Sequence, residues 1–163
     1  MRHAKSDWTG GVVDHDRPLS KRGVRASKTM GIVLRRMDQI PDLVYSSTAL
    51  RARTTVELAA EAGDWDTRIE TKEDLYGTSA EGALAVASEA PDDVERLMLV
   101  GHQPTWGALV YHLTGGAVQV KTATIIGMEC YSYDWSDLAD TNAEVVYVLQ
   151  ARLFGSPAWD GSG

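Results

Sequence analysis

Two of the chain's four histidines, His3 and His102, and three of its arginines, Arg2, Arg17 and Arg51, are the residues whose types and positions point to chemistry. Arginine offers a planar fork of N–H donors that matches a phosphoryl group two oxygens at a time. A neutral imidazole is a nucleophile near pH 7, and a protonated one is an acid. Arg2-His3 forms one cluster. Arg51 and Arg53 fall in the first turns of an expected helix, where free N–H groups and the positive end of the dipole favour an anion. His102 follows the apolar run Arg96-Leu97-Met98-Leu99-Val100 and precedes another expected helix, and Arg17 stands before Pro18 in the segment leading into the first helix. If these groups converge, they form a small cationic pocket suited to a tetrahedral dianion. Phosphoryl transfer is the chemistry that such a pocket serves, because the reaction needs positioning and charge neutralisation above all.

The elements that must position these residues are readable from caps, breakers and apolar runs. Ser20 is a good N-cap for a helix reaching about residue 37. After Pro41, Leu43-Val44-Tyr45 reads as a short buried strand. Thr48 is expected to cap a helix over 49–62, with Gly63 at its C′ position. A weaker strand is expected over 68–75, an alanine-rich helix over 79–90, a strongly apolar strand over 96–100, and a helix from Pro104 to about residue 114. Residues 122–134 and 144–154 read as two long strands that pair antiparallel across a turn-like linker. Strands alternating with helices predict a three-layer α/β architecture, with a mostly parallel central sheet covered by helices on both faces. Residues 1–154 are expected to form a single domain and 155–163 a loose tail. In such sheets, segments at the carboxyl ends of parallel strands converge, which would bring the stretch around Arg51 to His102.

Composition limits the partners. A chain of 163 residues is about one domain's worth, long enough to need no disulfide or metal staple. Lys and Arg number 16 against 23 Asp and Glu, a net charge of −7, which argues against nucleic acid and anionic membranes as partners. No apolar run approaches the ~20 residues of a membrane span, and the start MRHAKSDW lacks the apolar core of a signal peptide. The one cysteine, Cys130, excludes an internal disulfide and fits a reducing cytoplasm, the expected location. The tryptophans at 8, 65, 106, 135 and 159 share no period and read as core or rim residues.

Four segments in order resemble the signatures of the histidine phosphatase superfamily, the phosphoglycerate mutase-like fold family. Arg2-His3-Ala4-Lys5-Ser6 is similar to its RHG/RHA start, and Arg17-Pro18-Leu19-Ser20 with Gly23 to its RPL(S/T)xxG segment. Ser46-Ser47-Thr48-Ala49-Leu50-Arg51-Ala52 with Thr55 resembles its SSPxxRAxxT element, with Thr48 where proline is common, and Val100-Gly101-His102-Gln103-Pro104 resembles its VGHxP element. The short length and the start are most similar to the SixA-type phosphohistidine phosphatases. The resemblance implies that His3 is the nucleophile, that Arg2 and Arg51 clamp the phosphoryl oxygens, that His102 stabilises the transferring group and that Arg17 is a further substrate contact. It implies no metal and no cofactor. It also implies an apolar strand ahead of Arg2, which four to six apolar residues upstream of Met1 would supply.

The proton donor stays open between Glu73, which resembles the position used in the mutase branch, and the Asp14-His15-Asp16 stretch at the expected pocket entrance. The expected substrate is a phosphohistidine on a partner protein. A small phosphate ester, handled by a broad-specificity phosphomonoesterase, is the second reading, and mutase action is third. Two other classes are weighed against these. A metal hydrolase would use Asp14, His15, Asp16, His3 and His102 as ligands, but the arginines would repel a cation and no HxH or HxxxH pair is present. A non-catalytic phosphate-binding or interaction module would require loss of a key group, and Arg2, His3, Arg51 and His102 are all present.

Overall fold

The computed structural model describes residues 1–9, 11–132 and 134–155. The first helix, α1 (Lys21–Arg36), starts where its cap sits: the Ser20 hydroxyl accepts from the Gly23 N–H at 3.2 Å. The strand β1 (Leu43–Ser47) is buried along its whole length, as expected for a central parallel strand. It is followed by α2 (Leu50–Gly63), β2 (Arg68–Lys72), α3 (Ala80–Ala87), β3 (Leu97–Val100) and α4 (Thr105–Thr114). β1 pairs in parallel with β2 on one side and β3 on the other. The last strands, β4 (Thr124–Cys130) and β5 (Ala143–Gln150), form an antiparallel pair with a register shift between Gly127 and Met128.

Residues 1–4 stitch the two sheets together. The Met1 amine donates to the Leu99 carbonyl, Gly101 N–H to the Met1 carbonyl at 3.2 Å, and His3 N–H to the Gly101 carbonyl at 2.9 Å. On the other flank Arg2 N–H donates to the Thr124 carbonyl at 3.0 Å and Ala123 N–H to the His3 carbonyl at 3.1 Å. Residues 1–3 are thus paired on both sides, as an isolated parallel bridge between Arg2 and Gly101 and not as one of the named strands. Beyond Met1, between β3 and β4, lies a cavity of about 840 Å³ lined largely by apolar side chains such as Leu99, Trp106, Leu109, Ile126 and Met128.

Period-two alternation along β1 divides the core between the two faces. Val44 packs with Met30, Val33 and Leu34 of α1 and Val56 of α2. Leu43 and Tyr45 point the other way, among Leu84 of α3 and Leu109 and Leu113 of α4. Helices therefore cover both faces, as the pattern predicts. Among the described residues no helix is long and apolar enough to cross a membrane.

Several element ends differ from expectation. Ala49, not Thr48, occupies the N-cap position of α2, without a side-chain cap, because the Ser47 hydroxyl takes the Ala49 N–H at 3.3 Å and the Thr48 hydroxyl turns to His15. Gly63 is the last residue of α2, and Asp64 adopts the left-handed conformation instead. Gly63 is needed for space, since a methyl there would overlap the Trp65 indole and crowd the Gly31 carbonyl. The strand expected over 68–75 stops at Lys72 and tightens into a 3-10 turn, Glu73–Leu75, that buries Leu75. The helix expected over 79–90 is shorter, with Ser79 as its cap. The final strands are trimmed to the paired stretch, and Ala151–Leu153 is a 3-10 turn. Trp106 is buried and Trp8 is exposed. Trp159 and residues 156–163 of the expected tail lie outside the described residues.

The packing of α1 on α2 gives a direct test. A methyl group on Gly31 would overlap the backbone carbonyl of Ala59, which cannot rotate away. Gly31→Ala is expected to lower stability by about 1–3 kcal/mol, seen as a lower urea midpoint. An unchanged midpoint would mean that the helices separate at no cost.

Candidate active site

The loop ends that follow β1 and β3, together with residues 1–6, surround a cavity of about 460 Å³. Arg2, His3, Arg17, Arg51 and His102 all line it, so every principal residue singled out from the sequence meets here. Four segments supply them: the paired start of the chain, the end of the 3-10 turn Asp14–Asp16, the first turn of α2, and the turn between β3 and α4.

His3 is buried, and its Nδ1 lies 2.7 Å from the Ala4 carbonyl. A carbonyl only accepts, so Nδ1 carries the proton and Nε2 keeps its lone pair. Burial is the main cause that pushes its pKa down to about 4; the Ala4 hydrogen bond opposes this, and Arg51, Arg2 and Arg17 add to it. The imidazole is therefore neutral at pH 7. Its backbone is braced from α2: Ala4 N–H donates to the Thr55 hydroxyl at 2.9 Å, and that hydroxyl donates to the Arg51 carbonyl at 2.6 Å.

His102 sits with its ring centroid 5.1 Å from that of His3. Its Nδ1 accepts from Arg51 Nη2 at 3.3 Å, which leaves Nε2–H to donate to the Ser47 hydroxyl at 3.0 Å. Burial first, then His3 and Arg51, lower its pKa to about 3. Each ring thus has a fixed tautomer set by a neighbour.

The arginines are held by hydrogen bonds and ring contacts to their neighbours. Arg2 Nη1 donates to the Val120 carbonyl at 2.9 Å. Arg17 Nη1 donates to the Ser6 hydroxyl at 3.3 Å, and its guanidinium lies 3.6 Å from the centroid of the Trp8 ring. The Nε–H groups of Arg2, Arg17 and Arg51 are buried and have no protein partner among the described residues. Arg53 Nε, outside the cavity lining, is in the same state, so what marks the cavity is the convergence of the three guanidinium groups on it.

Among the further lining residues, Asp14 and Tyr76 bear directly on the arginines. Asp14, read only as an alternative donor, sends Oδ1 to Arg17 Nη2 at 2.6 Å and Oδ2 to Arg51 Nη2 at 2.9 Å. Tyr76 donates its hydroxyl to Asp14 Oδ2 at 2.9 Å. Partial desolvation raises the Asp14 pKa, but the hydrogen bond from Tyr76 and the charges of Arg51 and Arg17 prevail and hold it below the ordinary carboxylate value. The signal for Asp14 was its spacing of three residues from Arg17; nothing in the sequence marked Tyr76.

The other donor candidates lie outside the cavity lining, with the His15 ring edge-on to Tyr76 at 5.1 Å between centroids. Glu73 is exposed in the 3-10 turn after β2, Asp16 is exposed, and His15 bonds to Asp16 at 3.0 Å and to Thr48 at 3.1 Å. Neither Glu73, His15 nor Asp16 lines it. Nor are Asp14, His15, Asp16, His3 and His102 assembled as a metal site: among the described residues no group of three or more His, Cys, Asp or Glu could hold an ion.

Comparison with known proteins bears on this geometry. A sequence profile of the histidine phosphatase superfamily (branch 1) matches residues 1–83. An uncharacterised protein of Mycobacterium tuberculosis is 41% identical over 109 residues, a stretch covering 67% of this chain and 66% of that protein's length. A candidate phosphohistidine phosphatase SixA from Nakamurella multipartitia has the same fold, with a TM-score of 0.82 at 30% identity over 92% of each chain. A protein histidine phosphatase SixA solved with tungstate superposes with a TM-score of 0.80 at 22% identity, covering 94% of this chain and 96% of its own.

The histidine environments make a prediction about pH. Both folded-state values, about 4 for His3 and about 3 for His102, lie below the ordinary 6.5. The unfolded chain then binds more protons, so this stabilisation is complete above about pH 6.5 and is lost as pH falls toward the folded values. NMR titration of the ligand-free protein should show both imidazoles neutral down to about pH 5. A midpoint near 6.5 for either ring would contradict its burial.

Proposed function

The chain belongs to the histidine phosphatase superfamily, and on that premise we propose that it is a phosphatase working through a phosphohistidine at His3. The observation that carries the reading is the state of that ring: a buried imidazole with Nδ1–H committed to the Ala4 carbonyl and a free lone pair on Nε2, among three arginines. A phosphoryl dianion seats against Arg2, Arg17 and Arg51. His3 Nε2 attacks phosphorus in line, the bond to the leaving atom breaks, and the leaving group departs with its electron pair. The ring gains positive charge as it bonds, and the Ala4 carbonyl stabilises that charge through Nδ1–H. Water then attacks phosphorus, the P–N bond to His3 breaks, and phosphate leaves. A dianion beside His102 raises the affinity of that ring for a proton, so His102 becomes a cationic donor when charge is present to be stabilised. The scheme calls for neither metal nor cofactor.

The preferred substrate is a phosphohistidine on a partner protein. Breaking an alkyl ester requires a proton for the leaving oxygen, whereas a phosphoramidate P–N bond needs less help. Among the described lining residues Asp14 is the one carboxyl group, and two arginines hold it ionised, which suits a substrate with a good leaving group. A cytoplasmic location belongs to the same reading.

An alkaline denaturing quench during turnover should trap labelled phosphate on the protein, and His3→Ala should lose both label and turnover while its circular dichroism stays native. No label with any substrate would leave a phosphate-binding module instead. His102→Ala should slow the chemical step on the order of 10²-fold. In a substrate panel, phosphohistidine protein should give a higher kcat/KM than phosphotyrosine or sugar phosphates. The reverse order would identify a small-molecule phosphomonoesterase.

A further inference from the structure

The cavity is lined by cations, yet the outer nitrogens of Arg17 and Arg51 are already engaged by an acidic residue. Arg17 and Arg51 are walls of the site, with side chains 10% and 6% exposed. Their outer nitrogens converge on one residue. Arg17 Nη2 meets Asp14 Oδ1 at 2.6 Å, Arg51 Nη2 meets Oδ2 at 2.9 Å, and Arg51 Nη1 donates to the Asp14 backbone carbonyl at 2.6 Å. Tyr76 adds a fourth bond, to Oδ2 at 2.9 Å. Asp14 itself is 52% exposed. It belongs to a single 3-10 turn, Asp14–Asp16, with no buried residue, and it follows the exposed Val12 and Val13. The arginines are fixed and the carboxylate is held at the mouth largely by them, so the carboxylate is the partner free to leave.

We propose that the Asp14 carboxylate is a tethered occupant of the phosphoryl seat, and that its displacement is what makes the site select dianions. The inference rests on the cationic cavity being the phosphoryl site. A carboxylate carries one charge on two oxygens. A terminal phosphoryl group carries close to two charges on three oxygens and can take the same N–H groups with a stronger charge-assisted attraction. A tethered ligand competes at an effective concentration in the millimolar range. A free monoanion, such as a carboxylate or a phosphodiester, offers the arginines nothing beyond what Asp14 offers and is excluded. A monoester or phosphoramidate dianion gains enough to displace it. Asp14 is thus a specificity-determining residue that acts through Arg17 and Arg51.

The test compares Asp14→Asn, which keeps the shape and removes the charge, with the unaltered chain. Calorimetric titration with inorganic phosphate, and separately with acetate, reads both affinity and selectivity. The expected result is a phosphate Kd lower by about tenfold and measurable acetate binding where the unaltered chain shows none, so that the preference for the dianion narrows. Unchanged or weaker phosphate binding in a variant with native thermal melting would overturn the proposal, since it would make Asp14 a brace for the arginines. Should Asp14→Asn not fold, Tyr76→Phe removes one tether without changing any charge. It should tighten phosphate binding by a smaller factor, and weaker binding there overturns the idea equally. Binding is read without turnover. A chain whose variant gains phosphate affinity but never forms a phosphoenzyme keeps this inference and loses the catalytic reading. Normal turnover with no gain in affinity does the reverse.

Discussion

The placement of His3 depends on one constraint: the backbone of residues 1–4 must pair on both sides at once. His3 N–H is held by Gly101 and its carbonyl by Ala123, while Arg2 N–H is held by Thr124. Gly101 is the bridge residue just before His102, and Ala123 leads into β4, which Thr124 opens. One short run of main chain therefore sets the His3 imidazole, the neighbouring His102 and the junction between the parallel and antiparallel sheets. The α2 helix closes the arrangement from the third side, through the Thr55 hydroxyl that links Ala4 to the Arg51 carbonyl. Shifting any of these elements would move the imidazoles relative to the arginines, and catalysis by positioning tolerates little such movement.

Electrostatics follows from that packing. The chain carries a net charge of −7, yet its cavity gathers three arginines and Lys5 against the single lining carboxylate of Asp14 among the described residues. Burial keeps both imidazoles neutral next to these cations, which would otherwise compete with them for space and charge. A concave cationic site on an acidic body admits one small anion and repels extended polyanions. The overall charge thus acts on the surroundings of an anion at this cavity, while the local charge acts on the anion itself.

Much of the site was legible because its residues sit at positions that local rules mark. Arg51 lies at a helix start, His102 directly after a buried strand, and Arg17 before a proline that opens a capped helix. Local rules failed where two side chains competed for one role. Thr48 looks like a cap, but the Ser47 hydroxyl is better placed and also receives His102. Gly63 looks like a left-handed terminator, but Asp64 takes that conformation and Gly63 answers to the bulk of Trp65. Glu73 resembles the donor position of the mutase branch, but burial of Leu75 turns the chain so that Tyr76, not Glu73, reaches the cavity.

The sequence by itself determined the alternation of strands and helices, the faces that are buried, and the set of cationic and imidazole residues able to handle a phosphoryl group. These follow from periodicity, capping and side-chain chemistry, which act over a few residues. Only the tertiary structure decided which tautomer each imidazole holds, that the arginines converge on Asp14, and that Tyr76 completes that contact. Those outcomes depend on groups as far apart in sequence as Asp14 and Tyr76, or Ser47 and His102. No local rule relates such residues. The sheet brings them together by ending its parallel strands at one edge, and burial there fixes which hydrogen bonds they can make.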